Sequence, residues 1–215
     1  MRECARMQAF VGTSGWSYPS WKPGFYPADV RPLDFLRFYA ERFQTVELNT
    51  TGYRLPAEEQ FERWAAQVPD GFRFAVKFQA YRAEQAGTFV ERVRALGDRL
   101  GPIRVVLQSA RDEGMLELLL GSLDPDLQLA FDLRHPSWEG IEPQLSAAGA
   151  VRVDSLDPDA PFHYLRLREP PYTDEQLAEW SERIGALTAP AFVYLRHEDE
   201  PTAPAYAAGL AELLS

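Results

Sequence analysis

Cys4 is the only cysteine in 215 residues, so no disulfide framework can form within the chain and no cysteine-built zinc or iron–sulfur site is available. Histidine is nearly as scarce. Only His135, His163 and His197 occur, and none sits in an HExxH-like spacing. A divalent metal would need a mixed histidine–carboxylate site near His135 and His197, with Glu198 and Asp199; the spacing lends it no support, and no cofactor is expected. No apolar run approaches the roughly 20 residues that span a bilayer. The opening MRECARMQAF is basic but lacks an apolar h-region, so a secretion signal is not expected. The expectation is a cytoplasmic protein without membrane contact, with residues 1–7 a leader before the first strand. Positive charge is also short. Lys and Arg number 22 against 32 Asp and Glu, a net charge of -10, so the whole surface should not attract nucleic acid or anionic membranes. Any anion site must then be a local positive pocket. The phosphate-cradling patterns GxGxxG and GxxxxGK[ST] and the GxSxG elbow are missing as well, which removes dinucleotide, P-loop and serine-elbow readings. Ser14, in GTSGW, reads as a turn hydroxyl at a strand end rather than a nucleophile.

What is present is a large apolar fraction, 46%, with 13% aromatic residues, enough to build one domain over residues 1–215. Eight segments read as strands: QAFVGTSG, TVELN, FRFAVK, IRVVLQ, LQLAFDLR, AVRVD, HYLRLR and AFVYLR. Nearly every one is followed by a helical pattern. These are PLDFLRFYAERF, AEEQFERWAAQV, TFVERVRALGDRL ended by Gly101-Pro102, GMLELLLGSL, the short EPQLSAAG, DEQLAEWSERIGAL capped from Thr173 or Asp174, and APAYAAGLAELL. After AVRVD the segment SLDPDAPF has no room for a full helix. Strand–helix alternation implies a parallel sheet, and eight units imply a compact TIM-type (β/α)8 barrel with one helix short or missing after strand six. An open doubly wound sheet is the alternative. The loop WSYPSWKPGFYPADVRP is rich in aromatics and proline. It either plugs one end of the core or walls a pocket through Trp16 and Trp21.

In such a barrel, ligands meet the carboxyl ends of the strands. Period two places Glu47 and Asn49 there on strand two, Lys77 on strand three and Gln108 on strand four. Strand five brings Asp132 and Arg134, strand six Asp154, strand seven Arg166 and Arg168, and strand eight Arg196. Arg152 falls on the same face without an evident role. FDLRHPSW concentrates the pattern, since Asp132, Arg134 and His135 occupy a strand end that Pro136 stops. Five cations against three carboxylates leave two positive charges uncompensated, and buried unpaired cations are costly. Either an internal ion network holds the mouth, or an anionic ligand completes it. On the second view Arg134, Arg166 and Arg168 hold a small anionic, phosphorylated substrate. Glu47, Lys77, Asp132 and His135 are then the acid–base candidates, and Ser14, Trp16, Trp21, Asn49, Tyr53, Gln108, Asp154 and Arg196 line the pocket. A nucleic-acid phosphodiesterase or binder, with the aromatic loop stacking bases, and a non-catalytic binding barrel are the other readings.

The motifs GTSGWSYPSW, GFYP, VELNTTGYRLP, FRFAVK, FDLRHPSW, YLRL and YTDEQLAEWSERI, in this order, resemble the YecE-like family, also called domain of unknown function seventy-two. The resemblance implies a TIM barrel, with an architecture similar to endonuclease-IV-like and sugar-isomerase-like barrels, and no settled activity. It touches Gly12 to Trp16, Tyr18, Trp21, Glu47, Asn49, Tyr53, Arg54, Lys77, Asp132, Arg134, His135, Pro136 and Trp138. The segments FQAYRAEQAG, QSARDEG and RHEDEPTAPAYA depart from the family pattern.

Overall fold

A computed structural model describes residues 8–52, 54–197 and 200–215. Eight parallel strands form a nearly closed barrel: β1 (Ala9–Thr13), β2 (Thr45–Leu48), β3 (Arg73–Gln79), β4 (Leu100–Leu107), β5 (Leu129–Leu133), β6 (Val151–Arg152), β7 (His163–Leu167) and β8 (Ala191–Leu195). Their order is β6-β5-β4-β3-β2-β1-β8-β7. The helices between them are α1 (Phe35–Ala40), α2 (Glu58–Ala65), α3 (Ala86–Val93), α4 (Glu113–Ser122), α5 (Glu142–Ala147), α6 (Asp174–Gly185) and α7 (Thr202–Leu213). The α/β barrel expected from the strand count is therefore the fold, and no helix separates β6 from β7. The expected leader, residues 1–7, lies outside the described residues. None of the described helices is long and apolar enough to cross a membrane.

Strand alternation sorts the side chains into two cores. Outward residues such as Val46, Leu48, Val76, Val105, Phe131 and Leu165 pack under the helices. Inward, Phe10 stacks on Phe192 at 4.7 Å and Tyr164 tilts against Tyr194 at 5.0 Å, with Phe162, Val151 and Val153 beside them. These rings and branched chains fill the lower lumen, as a small barrel requires. Because Val151 and Val153 point inward, Arg152 points outward. Its guanidinium donates to the Trp138 carbonyl and to Glu142 at 2.7 Å. Its placement on the mouth face by sequence is therefore corrected: β6 is only two residues long, and its register is set by β5.

The weak seam is between β6 and β7. There the Asp154 N–H donates to the Tyr164 carbonyl at 2.9 Å, and the Asp154 carboxylate accepts from the Arg166 N–H at 2.7 Å. Asp154 stands in the left-handed region, φ +67°, where Asp is among the few tolerated side chains. The helix expected to run to Leu100 ends at Val93. Residues 94–99 form 3-10 turns bent at Gly97 (φ +54°), and β4 begins at Leu100, through the Gly101-Pro102 pair expected to end the helix. A register shift between Phe74 and Val76 accommodates that pair. Local proline and glycine signals lost here to strand pairing.

Trp21 is fully buried between Tyr18, Phe25 and Tyr26. The proline-rich loop thus plugs the core through Trp21, which corrects its expected place in a pocket wall. Tyr39 of α1 locks the first strand pair. Its hydroxyl accepts from the Thr13 N–H at 2.8 Å and donates to the Thr45 carbonyl at 3.0 Å. Gly12 permits this approach, since a Cβ there would lie 2.1 Å from the Thr45 oxygen. Gly12→Ala should cost about 3 kcal/mol or more by overpacking. Gly87→Ala, on open helix surface, should leave stability unchanged or slightly raised. Urea unfolding of the two variants reads the contrast.

Candidate functional site

Arg104, in the middle of β4, points into the lumen between Lys77 of β3 and Ala130 of β5 and is only 2% exposed. Its Nη1 donates to Glu47 on β2 at 3.0 Å and to the Asn49 side-chain oxygen at 3.3 Å. Its Nε and Nη2 both donate to Asp132 on β5, at 2.9 and 2.5 Å. One guanidinium therefore ties opposite walls of the barrel. Its signal in the sequence is a lone arginine in IRVVLQ with the same parity as Gln108. Sampling only the last residues of each strand passes over it.

Both carboxylates accept several further hydrogen bonds. Glu47, fully buried, also accepts from the Tyr164 hydroxyl at 2.7 Å, the Asn49 amide at 2.9 Å and Arg166 Nη2 at 2.9 Å. Asp132 also accepts from Arg134 Nε and Nη2, at 2.8 and 2.9 Å, and from Arg168 Nη2 at 3.2 Å. Burial by itself would raise the Glu47 pKa. The Arg104 and Arg166 charges and the Tyr164 and Asn49 hydrogen bonds overcome it and hold it at about 2. Asp132 is likewise raised by burial and brought to about 2 by Arg134, Arg104 and Arg168. Near neutral pH both are anions held by cationic donors.

Above this layer lie groups in different states. Burial lowers the Lys77 pKa, and Arg104 lowers it further, against a partial offset from Glu47. Burial raises the Asp154 pKa although Arg168 Nη1 pairs with its carboxylate at 2.8 Å. Arg134 is 42% exposed and Arg168 28%, so both guanidiniums reach solvent at the mouth. The Nε atoms of Arg166 and Arg168 are buried without a protein acceptor. Lys77, Arg104, Arg134, Arg166 and Arg168 thus surround Glu47, Asp132 and Asp154, and positive charge exceeds negative.

The other expected site residues are dispersed. Trp16 is half-buried against Trp64 of α2 and borders a cleft of about 570 Å³ whose floor includes Glu47 and Asn49. Ser14 is buried, and its hydroxyl accepts from the His197 N–H at 3.1 Å, tying β1 to β8. His135 is exposed and caps its own turn, with Nδ1 2.8 Å from the Ser137 hydroxyl and accepting from the Ser137 N–H. This turns His135 away from the carboxylates, as alternation requires of a residue next to Arg134. Gln108 and Arg196 are exposed at their strand ends, outside the ion cluster. Tyr53 lies outside the described residues, as do Glu198 and Asp199 of the possible metal site. Among the described residues no group of three or more His, Cys, Asp or Glu side chains is placed to hold a metal ion. Trp64 of α2 also lines the cleft, and Gln79, buried on β3, stands inward beside the mouth; neither was among the expected site residues.

The fold and this ion cluster define a TIM-type (β/α)8 barrel with a charged mouth at the carboxyl ends of its strands. The chain belongs to the DUF72 family, whose model, described as protein of unknown function DUF72, matches residues 10–215. It is 32% identical over 142 residues to UPF0759 protein YecE of Escherichia coli K12, and equally to that of strain O157:H7, over 60% of this chain. The match covers 49% of those proteins, so the chain spans about half the length of the curated relatives it matches. A crystal structure of a DUF72 family protein (EF0366) from Enterococcus faecalis V583 superposes with a TM-score of 0.79 at 17% identity, covering 99% of both chains. A second crystal structure of that protein gives 0.78 at 18% identity, over 96% of this chain and 95% of the other. At such identity the likeness establishes the fold.

Removing Arg104 takes a buried cationic partner from each of two buried anions. Arg104→Met should therefore cost about 3–5 kcal/mol, measured by chemical unfolding at neutral pH. Glu47 and Asp132 titrate lower in the folded chain than at their ordinary values of 4.5 and 3.8. The unfolded chain takes up their protons first on acidification. Stability from the cluster should be complete above about pH 4.5 and be lost as pH falls toward about 2. Asp132→Asn should flatten that slope in unfolding curves taken across the acid range.

Proposed function

We propose that the barrel mouth binds a small oxyanion, phosphate or carboxylate, carried by a small molecule, and that Lys77 is the group there suited to proton transfer. The observation that supports this is the surplus of guanidinium around Glu47, Asp132 and Asp154. Arg104 is spent on the cluster, whereas Arg134 and Arg168 still reach solvent. Guanidinium forks match the oxygens of phosphate and carboxylate bidentately.

The acid–base part of the reading narrows to Lys77. Glu47 and Asp132 bridge through Arg104 and hold the cations in place. A buried ammonium with a lowered pKa can give up its proton nearer neutrality than an exposed lysine. Such a site suits an isomerase or hydrolase acting on a phosphorylated small molecule. The net charge of -10 disfavours a polymeric nucleic acid.

A thermal-shift series with phosphate, sulfate, sugar phosphates and a short oligonucleotide at two salt concentrations tests the reading. At about 100 times Kd a ligand adds about 2.7 kcal/mol, which raises Tm by about 5–10 °C in a chain of this size. Phosphate or a sugar phosphate should stabilise the protein, and Arg134→Ala should weaken that binding at least tenfold with the fold intact. Stabilisation unchanged in Arg134→Ala would overturn the proposal. So would a salt-sensitive shift with the oligonucleotide alone.

A further inference from the structure

Where the chain passes from β6 to β7 without a helix, a groove of about 390 Å³ opens. That volume is in the range of small-molecule sites. One side is formed by Asp154 and by Arg166 and Arg168 at the end of β7. The other is a face of α6, on which Glu179, Trp180 and Arg183 recur at helical spacing.

Arg168 belongs to this groove and to the ion cluster at once. Its Nη1 pairs with Asp154 at 2.8 Å on the groove side. Its Nη2 donates at 3.2 Å to Asp132 Oδ2, the same oxygen that takes Arg134 Nη2 at 2.9 Å. The two guanidiniums therefore stand side by side at the mouth, and both keep exposed surface. A small oxyanion on this pair has its substituent at the edge of the groove.

The lining says what that substituent is. Glu169 and Glu179 are exposed carboxylates, which only accept hydrogen bonds when ionised. Tyr172 and Trp180 are half-buried rings between them. The Tyr172 hydroxyl accepts from the Glu169 N–H at 2.8 Å, which orients the ring, and the Arg183 guanidinium lies 4.2 Å from the Trp180 centroid. An apolar substituent would take water from the two carboxylates and return no hydrogen bond. An ammonium would meet Arg168 and Arg183 as well as the acids. Hydroxyl groups donate to the carboxylates without that repulsion, and their carbon skeleton can rest on the rings.

We infer that the ligand is a polyhydroxylated oxyanion, a sugar phosphate or sugar acid, with its head group on Arg134 and Arg168 and its hydroxyls on Glu169 and Glu179 in the groove along α6. This rests on the oxyanion reading above and adds the chemical class of the rest of the molecule and its place.

Calorimetric titration with inorganic phosphate, glucose 6-phosphate, cyclohexylmethyl phosphate, phosphoethanolamine, acetate and gluconate tests it. Glucose 6-phosphate should bind at least tenfold more tightly than inorganic phosphate and than the hydroxyl-free cyclohexylmethyl ester. The same contrast in gluconate against acetate alone would support the inference with a carboxylate head. Glu179→Ala, at an exposed helix position, should weaken glucose 6-phosphate at least fivefold and leave inorganic phosphate equal or tighter, since a negative charge is lost. Leu33→Ser, in the separate cleft beside Trp16, should change neither affinity. Equal affinities within both pairs, phosphate with glucose 6-phosphate and acetate with gluconate, would overturn this inference and leave the oxyanion reading standing. A cyclohexylmethyl phosphate or phosphoethanolamine that matches glucose 6-phosphate would overturn the choice of hydroxyls. Glucose 6-phosphate affinity unchanged in Glu179→Ala, or lost in Leu33→Ser, would overturn the placement. No binding of any of the six would overturn both readings.

Discussion

Arg104 is the constraint on which the upper half of the barrel depends. A guanidinium that is 2% exposed must find acceptors for its N–H groups and counter-charge for its cation. Glu47 and Asp132 supply both from opposite walls. Each carboxylate then needs further donors, and these are the side chains of Asn49, Tyr164, Arg134, Arg166 and Arg168. The lumen passes from stacked rings below to an ion lattice above, with the small Ala130 beside Arg104 on β5.

This lattice changes how the acidic residues behave chemically. Two buried carboxylates facing one lumen can split into acid and base when their environments differ. Here the environments are alike. Both are desolvated, both are bound by several cationic donors, and both are held at about 2. Both neutralise arginine charge. The groups whose proton affinity moves toward neutrality are Lys77 and Asp154, set on β3 and at the β6–β7 seam. Asp154 also bridges that seam through its own carboxylate, so the strained residue that completes the wall is the one pairing with Arg168.

Several parts of the site were legible in the sequence. Glu47, Asn49, Lys77, Asp132, Arg166 and Arg168 face the lumen because strict alternation is all that their placement requires. The expectation failed where alternation was interrupted or where an outward path existed. Arg152 sits on a two-residue strand whose register β5 dictates, and it turns to Glu142. His135 finds a nearby acceptor and donor in its own turn. Trp21 meets enough rings in its own loop to be buried entirely. Arg104 went unread because mid-strand polar residues normally argue against burial, and only a lumen with acceptors on two distant strands makes one affordable.

By itself the sequence determined the number and direction of the strands, their alternation, the missing helix after β6 and the family. Each of these follows from local periodicity or from motif order along the chain. Tertiary structure alone decided which charges neutralise which. Glu47 and Arg104 are 57 residues apart, and Glu47 and Arg166 are 119 apart. Their pairing exists only once the sheet curls into a barrel. Closure also decided that β4 would run through Gly101-Pro102, because strand pairing along its length outweighs the local preference for a turn. The cleft by the mouth has the same origin: Trp16 and Trp64 lie on separate loop and helix segments that meet only when β1 and β2 pair.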